Sequence, residues 1–587
     1  MAGQSRKWMI LVATIWIQAF TGTNFDFSEY SSALKSVLNI SQVQLNYLAT
    51  ANDMGKVFGW SSGLALMYLP LSLVIFIASA MGFVGYGLQW LAINNIITLP
   101  YSLVNSSPST LSFFPPFSIM FFLLCLLSGC SICWFNTVCF VLCIRNFPVN
   151  RPLALSLTVS FNGVSAALYT LAANSIDPSS DALYLLLNAL VPFLTSLAAL
   201  VPILRQPPLD SLSRSPDTAR RNSVIFLVLN FLAIFTGIYL LLFGSSTSDE
   251  ATSRLYFGGA IMLLISPLCI PGIIYARDWF HNAIHSSFRM EESGFILVHV
   301  DDLELHKELL TRQNSALSLS NGDGHSLLSE NGSQREKTSD VGCHKMLGQD
   351  QLAMLGEEHT AAVVVQRLDF WLYYVAYFFG GTIGLVYSNN LGQIAQSLGL
   401  SSSTSTLVTL YSSFSFFGRL LSAVPDYIRN KFYFARTGWL AIALVPTPVA
   451  FILLTASDSV AVLKTGTALI GLSSGFIFAA AVAVTSELFG PNSVSVNHNI
   501  LITNIPIGSL LYGFLAAVIY DANAYSVPGD LMADSLVCMG RKCYFWTFVW
   551  WGGISALGLA SSVLLFLRTK HAYDRFERHR ISAQSMS

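Results

Sequence analysis

The chain has 587 residues, of which 53% are hydrophobic and only 11% are Asp, Glu, Lys or Arg, and its net charge is −1. Soluble globular proteins carry about 25% charged residues, and disordered chains combine low hydrophobicity with high charge, so both classes are excluded. The balanced charge provides no basic field that would attract nucleic acid. With a mean hydropathy of +0.57, a polytopic membrane protein remains.

Apolar stretches close to the spanning length of about 20 residues recur along the whole chain. Transmembrane β-strands need only about ten alternating residues, so we predict an all-α polytopic membrane protein. The first stretch lacks the small-residue cleavage site of a signal peptide and is predicted to stay as a span. The fourteen predicted spans are 8–27, 46–68, 71–93, 117–144, 153–175, 182–204, 223–243, 255–276, 370–388, 404–424, 438–455, 466–489, 499–520 and 544–567.

Lys and Arg predict the orientation of these spans, because they are enriched in cytoplasmic loops. If the N-terminus is cytoplasmic, most Lys and Arg outside the spans fall on that side, including Arg145, Arg205 and Arg568. Both termini and the polar segment 277–368 are then predicted to be cytoplasmic. The plasma membrane or the vacuolar membrane is the expected location.

The layout of the spans divides the chain into two similar parts. Six spans precede residue 205 and six follow residue 368, with two more between them. Two six-helix halves that rock about a central site are common in secondary transporters. The predicted regions are an N-terminal bundle (1–204), a linker with two inserted helices (205–276), a cytoplasmic, largely disordered loop (277–368), a C-terminal bundle (369–567) and a cytoplasmic tail (568–587).

Charged residues within spans are costly in lipid and are expected to face the interior of the bundle. Asp53 and Lys56 are three residues apart and can pair on one helix face, either lining a cavity or joining helices. Asp26 and Glu29 have the same spacing at the end of the first span. They either sit in water at a helix end or handle a proton or the substrate.

Uncharged polar residues within spans are further candidates for solute contact. Asn162 lies in the fifth predicted span, Tyr387 near the end of the ninth and Asn504 in the thirteenth. Each can hydrogen-bond a solute, or can bond to a neighbouring helix.

A second group of charges lies at the predicted inner ends of the second half. Arg419, Asp426 and Arg429 surround the end of the tenth span, and Glu487 ends the twelfth at the same face. We predict that Glu487 pairs with Arg419 or Arg429. Such a pair would act either as an inner gate that breaks on opening or as a permanent anchor of helix ends.

Cysteine and histidine positions argue against metal chemistry and catalysis. Cys538 and Cys543 lie in the last outward loop, on the oxidising side, and are a disulfide candidate. Cys130 and Cys133 lack a His or an acid on their span, so no metal is expected. No G-x-x-x-x-G-K-[ST] motif is present, so no nucleotide cofactor is expected. All ten His fall in predicted cytoplasmic segments, leaving no base at membrane depth, and we predict that the chain is not an enzyme.

Several short motifs together resemble one plant family. They are the sequence from Gly22 to Lys35, the pair Asp53 and Gly55, Gly418-Arg419 with Asp426, the sequence from Ser486 to Gly490, and the sequence from Cys538 to Cys543. As a set they resemble the nodulin-like, nuclear-fusion-defective-like group within the major facilitator superfamily. The resemblance implies a major facilitator fold, alternating access and distant similarity to oxalate/formate-type antiporters. Arg151-Pro152 departs from the Arg-Gly that is frequent in the group.

The leading hypothesis is a monomeric secondary transporter of a small solute, such as an organic anion or metabolite, embedded in a lipid bilayer. A solute or proton gradient would supply the energy, and Asp26, Glu29 and Asp53 are the candidates for proton coupling. The alternative is a non-transporting membrane sensor or scaffold that signals through the acidic central loop. No nucleic-acid partner is expected.

Overall fold

The computed structural model describes most of the chain. The described residues are 2–38, 40, 42–94, 96–97, 116–178, 180–205, 216–244, 250–284, 287–291, 294–298, 354–429, 431–526 and 536–585. Most of the predicted central loop, residues 299–353, lies outside them.

Helices build the first half and the inserted pair. They are α1 (Ala2–Thr21), α2 (Phe27–Leu38), α3 (Gln42–Gly55), α4 (Gly59–Tyr68), α5 (Leu71–Ile93), α6 (Pro116–Asn146), α7 (Arg151–Phe161), α8 (Ser165–Ile176), α9 (Leu183–Leu204), α10 (Pro216–Phe243), α11 (Glu250–Ile265) and α12 (Cys269–Ile284). Single 3₁₀ turns join α3 to α4, α7 to α8 and α11 to α12.

The second half repeats this plan. Its helices are α13 (Ala361–Val364), α14 (Leu368–Asn389), α15 (Leu391–Ser397), α16 (Thr404–Leu421), α17 (Val424–Ile428), α18 (Arg436–Leu444), α19 (Pro446–Ala456), α20 (Val460–Phe489), α21 (Val494–Ile502), α22 (Asn504–Ala522) and α23 (Phe545–Ser585). The predicted tail 568–587 therefore begins as a continuation of the last helix, which runs 41 residues.

Among the described residues, two short antiparallel strand pairs are the exceptions to the predicted all-helical structure. β1 (Ser287–Glu291) pairs with β2 (Gly294–Val298) in the predicted central loop. β3 (Tyr525–Ser526) pairs with β4 (Leu536–Val537) before the last helix. Neither strand pair belongs to the helical bundle, so the polytopic all-α class holds for the part that crosses the membrane.

The helices account for all fourteen predicted spans. Twelve described helices are long and apolar enough to cross a membrane. The remaining two predicted spans coincide with α1 and with the α3–α4 unit. These two are more polar because α1 carries Arg6 and Lys7 in its first two turns and the α3–α4 unit contains Asp53 and Lys56.

The inserted helices pack beside the junction of the two halves. α12 packs against α1, α11 against α8, and α10 against α16. The indole of Trp16 on α1 donates to the carbonyl of Leu264 on α11 at 2.8 Å. The pair therefore contacts both halves, as expected for an insert between them.

The same glycine crossing recurs in the two halves. A Cβ on Gly55 or Gly129 would overlap backbone atoms of the facing helix where α3 crosses α6. A Cβ on Gly418 or Gly475 would do so where α16 crosses α20. Small residues permit such close helix contact in membranes, and their corresponding positions support the internal pseudo-symmetry that the layout predicts.

The end of the central segment is fastened to the second half. The backbone N–H of Gly356 donates to the carbonyl of Glu487 at 2.7 Å. The Glu358 carboxylate accepts from the N–H groups of Asn492 at 2.8 Å and Ser493 at 3.1 Å. Because these N–H groups precede α21, the carboxylate satisfies otherwise unpaired donors at a helix start.

The glycine crossings generate a stability prediction. We expect Gly129→Val and Gly475→Val each to destabilise the protein by about 1–3 kcal/mol or more, because the new side chain overlaps backbone that cannot move freely. Thermal unfolding in detergent measures the effect. Gly553→Val is the matched control, since no atom lies within 4 Å of a Cβ there. Melting temperatures equal to that of the control would show that the crossings are not close-packed.

Candidate functional site

A cavity of about 90 Å³ lies between the two halves at the middle of the bundle. Its charged lining residues are Lys56 from the first half and Arg419 from the second. Amide side chains supply much of the remaining polar surface: Gln18, Asn24, Asn136, Asn162 and Asn499. No Asp or Glu is among the described residues that line it.

Interrupted helices surround this cavity. Lys56 begins the 3₁₀ turn between α3 and α4, and Asn162 begins the turn between α7 and α8. Asn24 lies in the gap between α1 and α2, and Asn499 lies on α21 just before it gives way to α22. Irregular backbone at membrane depth is tolerated where it lines a cavity, and it marks positions where helices can bend.

Arg419 bridges the halves from the cavity wall. Its side chain is 2% exposed, and its Nη1 donates to the carbonyl of Val159 at 2.9 Å and to Oδ1 of Asn162 at 3.0 Å. The guanidinium also lies over the rings of Phe25 and Phe478, 5.3 and 5.4 Å from their centres. Val159 is in the last turn of α7, where the helix dipole favours a cation.

Asp53 and Lys56 form the predicted ion pair, with Oδ1 and Nζ 2.5 Å apart. Asp53 also accepts from the hydroxyl of Ser509 and from Nδ2 of Asn389, at 3.4 Å, both in the second half. Lys56 borders the cavity, whereas the carboxylate of Asp53 accepts hydrogen bonds from the other half. The pair is therefore both a cavity wall and a contact between halves, which combines the two alternatives open from sequence.

Hydrogen bonds join the halves on both sides of the cavity. On the outer side, the hydroxyl of Ser28 donates to the carbonyl of Ser388 at 2.6 Å. On the inner side, the hydroxyl of Ser156 donates to the carbonyl of Arg419 at 3.0 Å. The inner side is defined here as the one that carries both termini. The protein is thus in a conformation with contacts between the halves at both ends.

Of the three uncharged polar residues predicted to contact the solute, one lines the cavity and two do not. Asn162 lines the cavity. The hydroxyl of Tyr387 instead forms a hydrogen bond of 2.7 Å with the hydroxyl of Thr467, and Oδ1 of Asn504 accepts from the hydroxyl of Thr382 at 3.0 Å. All four of those side chains belong to the second half and lie outside the cavity lining, so Tyr387 and Asn504 bond between helices.

Asp26 is fully buried and Glu29 is half-buried, so neither is placed in open water at a helix end. Asp26 accepts from Nδ2 of Asn188 at 3.2 Å. Glu29 accepts from the hydroxyl of Ser405 at 2.9 Å, across the halves on the outer side. One oxygen of each carboxyl group has no hydrogen-bond partner among the described residues. Neither residue lines the cavity.

The predicted pairing of Glu487 with Arg419 or Arg429 is wrong. Glu487 Oε1 instead accepts from Nε of Arg436 at 2.9 Å, and Arg436 also pairs with Asp426 at 2.6 Å. Arg429 pairs with Glu577 at 2.6 Å. Arg419 points towards the cavity, away from this inner group.

The inner group therefore lies within one half. Its members come from α17, α18, α20 and the end of α23, and Tyr573 donates to Glu487 at 2.8 Å. No residue of the first half takes part in these bonds. The geometry corresponds to an anchor of helix ends, not to a bond that must break between halves.

Cys538 and Cys543 are joined by a disulfide in the structure. Both sulfur-bearing residues are buried, and the loop that they close precedes the last helix. No group of three or more His, Cys, Asp or Glu residues in the described ranges is arranged to hold a metal ion.

Sequence reasoning missed several residues of the cavity. Gln18, Asn24, Tyr377, His498 and Asn499 line it but were not among the candidates. The expectation that every His lies in a cytoplasmic segment is wrong for His498, because α21 begins at Val494 and carries this residue inwards. Polar side chains near the predicted start of the thirteenth span were the available signal.

Comparison with known proteins agrees with this architecture. Residues 7–108 and 109–272 match the model of the Nodulin-like family, and residues 353–575 match the model of the NFD4 C-terminal domain. The chain is 58% identical over 586 residues to Protein NUCLEAR FUSION DEFECTIVE 4 of Arabidopsis thaliana, covering 100% of this chain and 92% of that protein.

More distant similarities are also present. Probable transporter MCH1 of Yarrowia lipolytica is 27% identical over 205 residues, covering 34% of this chain and 41% of that protein. A crystal structure of the peptide transporter POT in complex with sulfate superposes with a TM-score of 0.50 at 11% identity, covering 97% of this chain and 95% of the other. The latter similarity shows the major facilitator fold.

The inner group generates a second prediction. We expect Glu487→Gln to lower the melting temperature, because a hydrogen bond between charged groups is worth about 1.5–3 kcal/mol. Solute uptake per folded molecule should stay close to that of the wild type. Asp458→Asn, at an exposed site, is the control for loss of a carboxylate. Lower uptake with an unchanged melting temperature would restore the gate hypothesis.

Proposed function

We propose that this chain, which belongs to the nodulin-like family and has the major facilitator fold, carries a small anionic solute across its membrane by alternating access. The observation that carries the proposal is the charge of the central cavity. Arg419 and Lys56 line it from opposite halves, and the described lining residues include no carboxylate.

The positive charge at the cavity is only partly neutralised by the described residues. Lys56 is neutralised by Asp53, but the partners of Arg419 are a carbonyl, an amide and two aromatic rings. A buried cation without a counter-ion is costly. An anion in the cavity would supply that counter-ion, and the surrounding amides would satisfy its remaining lone pairs.

The position of the cations also suggests how binding would promote closure. Lys56 and Arg419 belong to different halves, and Asp53 already offsets the charge of Lys56. An anion between them would neutralise Arg419 in a space of low dielectric and would also attract the Lys56 ammonium, which joins the two halves through the solute. Loading would then favour the conformation with both sides closed, and the interrupted helices around the cavity provide places to bend.

Small size is a second property of the proposed solute. A cavity of about 90 Å³ has room for a small carboxylate or an inorganic oxyanion. Amides both donate and accept hydrogen bonds, so the wall suits an anion that carries further polar groups.

We also propose the orientation and coupling that the sequence suggests. Both termini would face the cytoplasm in the plasma membrane or the vacuolar membrane, because Lys and Arg are concentrated on the inner side. A solute or proton gradient would drive the transport. A binding-only sensor is the alternative, and solute flux into liposomes separates it from a transporter.

The anion proposal is tested by removing the unpaired cation. We expect purified protein in liposomes to take up labelled lactate, malate or phosphate in preference to neutral mannitol. Arg419→Gln should lower that uptake at least about tenfold, because losing one partner of a buried charged contact costs about 2–5 kcal/mol. Lys464→Gln removes one positive charge at an exposed site and should leave uptake unchanged. Equal uptake by both variants would refute the proposal.

Asp53 generates a prediction about the outer side. Asp53→Asn should weaken the contacts with Ser509 and Asn389 and free Lys56, which favours outward opening. A shift of about 1.4 kcal/mol changes the population about tenfold. In a Ser388→Cys background, labelling by a membrane-impermeant maleimide from outside should therefore become about tenfold faster.

The control for this experiment is Asp458→Asn in the same Ser388→Cys background. It should label at the rate of the parent, since Asp458 is exposed and outside the junction of the halves. If Asp53→Asn labelled at that rate too, the carboxylate would have no part in holding the outer side closed.

A further inference from the structure

His498 is a cavity residue whose imidazole is incompletely bonded. It is 8% exposed and lies on α21, with its ring edge-on to Phe140 at 5.9 Å. It lines the cavity, and its Nδ1 is buried with no hydrogen-bond partner among the described residues. A buried nitrogen that can accept a proton therefore sits beside the proposed anion site.

The charged groups around the cavity determine when that proton is held. Lys56 comes from the turn before α4, and Arg419 from α16. Cys133 of α6 and Tyr377 of α14 are the other titratable lining residues, and both are ordinarily neutral at pH 7. Asp53 offsets the charge of Lys56, so the uncompensated charge facing the ring is that of Arg419. This positive charge opposes a charged imidazole when no anion is bound.

The remaining charges near α21 lie at its inner end, not at the cavity. Glu358 caps the start of the helix, and His359 accepts from Asn497 through its backbone carbonyl. Glu487, on α20, is bonded to Arg436 and Tyr573. These carboxylates already have donors, and none of these residues lines the cavity.

We propose that His498 binds a proton when an anion occupies the cavity and releases it when the anion leaves, so that anion and proton move together. The inference rests on the proposed anion transport and adds the residue that couples it to protons. The proton comes from the solution on the loading side and returns to the solution on the unloading side, with no other reactant.

The physical reason is a change in the sign of the local field. An anion near the ring favours the charged imidazolium, as any opposite charge nearby does. By linkage, a protonated ring must strengthen anion binding by the same factor. Histidine suits this role because the ring changes charge near neutral pH.

Asp26 and Glu29 are the competing sites for a coupled proton. Both are carboxyl groups with one buried, unbonded oxygen, but neither lines the cavity. A bound anion would favour protonation of these carboxyl groups too, since it opposes their ionised form, so they compete with His498 for the same role. Their participation would leave the pH dependence of binding intact when His498 is replaced.

The test compares full-length wild type, His498→Gln and His571→Gln in lipid nanodiscs. Binding of lactate, malate and phosphate is measured between pH 5 and 8. Proton uptake on binding is followed for lactate with a pH dye in weak buffer, because lactate stays ionised over this range whereas malate and phosphate themselves bind protons. His571→Gln is the matched control, because its side chain is exposed on the extension of α23. Melting temperatures verify folding, and His498→Asn is the second variant if the glutamine variant unfolds.

We expect the affinity of the wild type for lactate to rise as the pH falls, by up to about tenfold per pH unit, with about one proton taken up per anion. His498→Gln should bind lactate with an affinity that no longer changes with pH and should take up no proton. His571→Gln should match the wild type. In liposomes, an inward proton gradient should drive accumulation by the wild type but only equilibration by His498→Gln.

Two outcomes would overturn the inference and are distinguishable. If the His498 variants kept the wild-type pH slope and proton uptake, the inference would fail while anion transport stood, and the carboxyl groups would become the coupling site. If none of the three anions bound the wild type at any pH, the proposed function itself would fail, and the inference with it.

Discussion

The central constraint in this protein is a buried guanidinium that no carboxylate of the described chain neutralises. Arg419 belongs to the second half, yet its hydrogen bonds go to Val159 and Asn162 in the first. Because such a charge cannot face lipid, the two halves must meet around it. The cavity, the interrupted helices and the contacts between the halves are all arranged about that meeting point.

The other buried charges clarify why this one is different. Asp369 and Arg568 pair at 2.7 Å, and Arg436 is held by both Asp426 and Glu487. Each of these charges is paired within the second half, so the pairs can remain unchanged when the halves move. Asp53 is shared between Lys56 and the second half. Charges whose partners lie across the junction are therefore the ones placed to respond to a solute.

Interrupted helices connect this electrostatic pattern with movement. Lys56 and Asn162 both occupy 3₁₀ turns, so the backbone that presents these polar side chains is also where the helices can bend. The glycine crossings between α3 and α6 and between α16 and α20 lie within the halves. They close-pack the helices within each half, whereas the 3₁₀ turns lie at the cavity.

Much of the fold could be predicted from local sequence. Described helices overlap all fourteen predicted spans, and twelve of them are long and apolar enough to cross a membrane. The prediction succeeded to this extent because each apolar stretch reports its own transfer to lipid, independently of its neighbours. The importance of Asp53, Lys56 and Arg419 followed from the same argument, since a charge inside a span must face the bundle. The predicted partner of Glu487 was wrong, because the positions of Arg436 and Arg419 in the sequence make both plausible partners. Only the packing of the helices distinguishes them.

The sequence by itself determined that the chain is a two-part helical membrane protein, since hydropathy is a local property that sums along the chain. Only the tertiary structure decided which polar residues share a cavity. His498 is the clearest case. Its position predicts a residue just before the thirteenth span, but α21 carries it inwards against Phe140. Whether a side chain meets lipid, water or a solute depends on helix rotation and on contacts hundreds of residues away, and neither is recorded in the order of its neighbours.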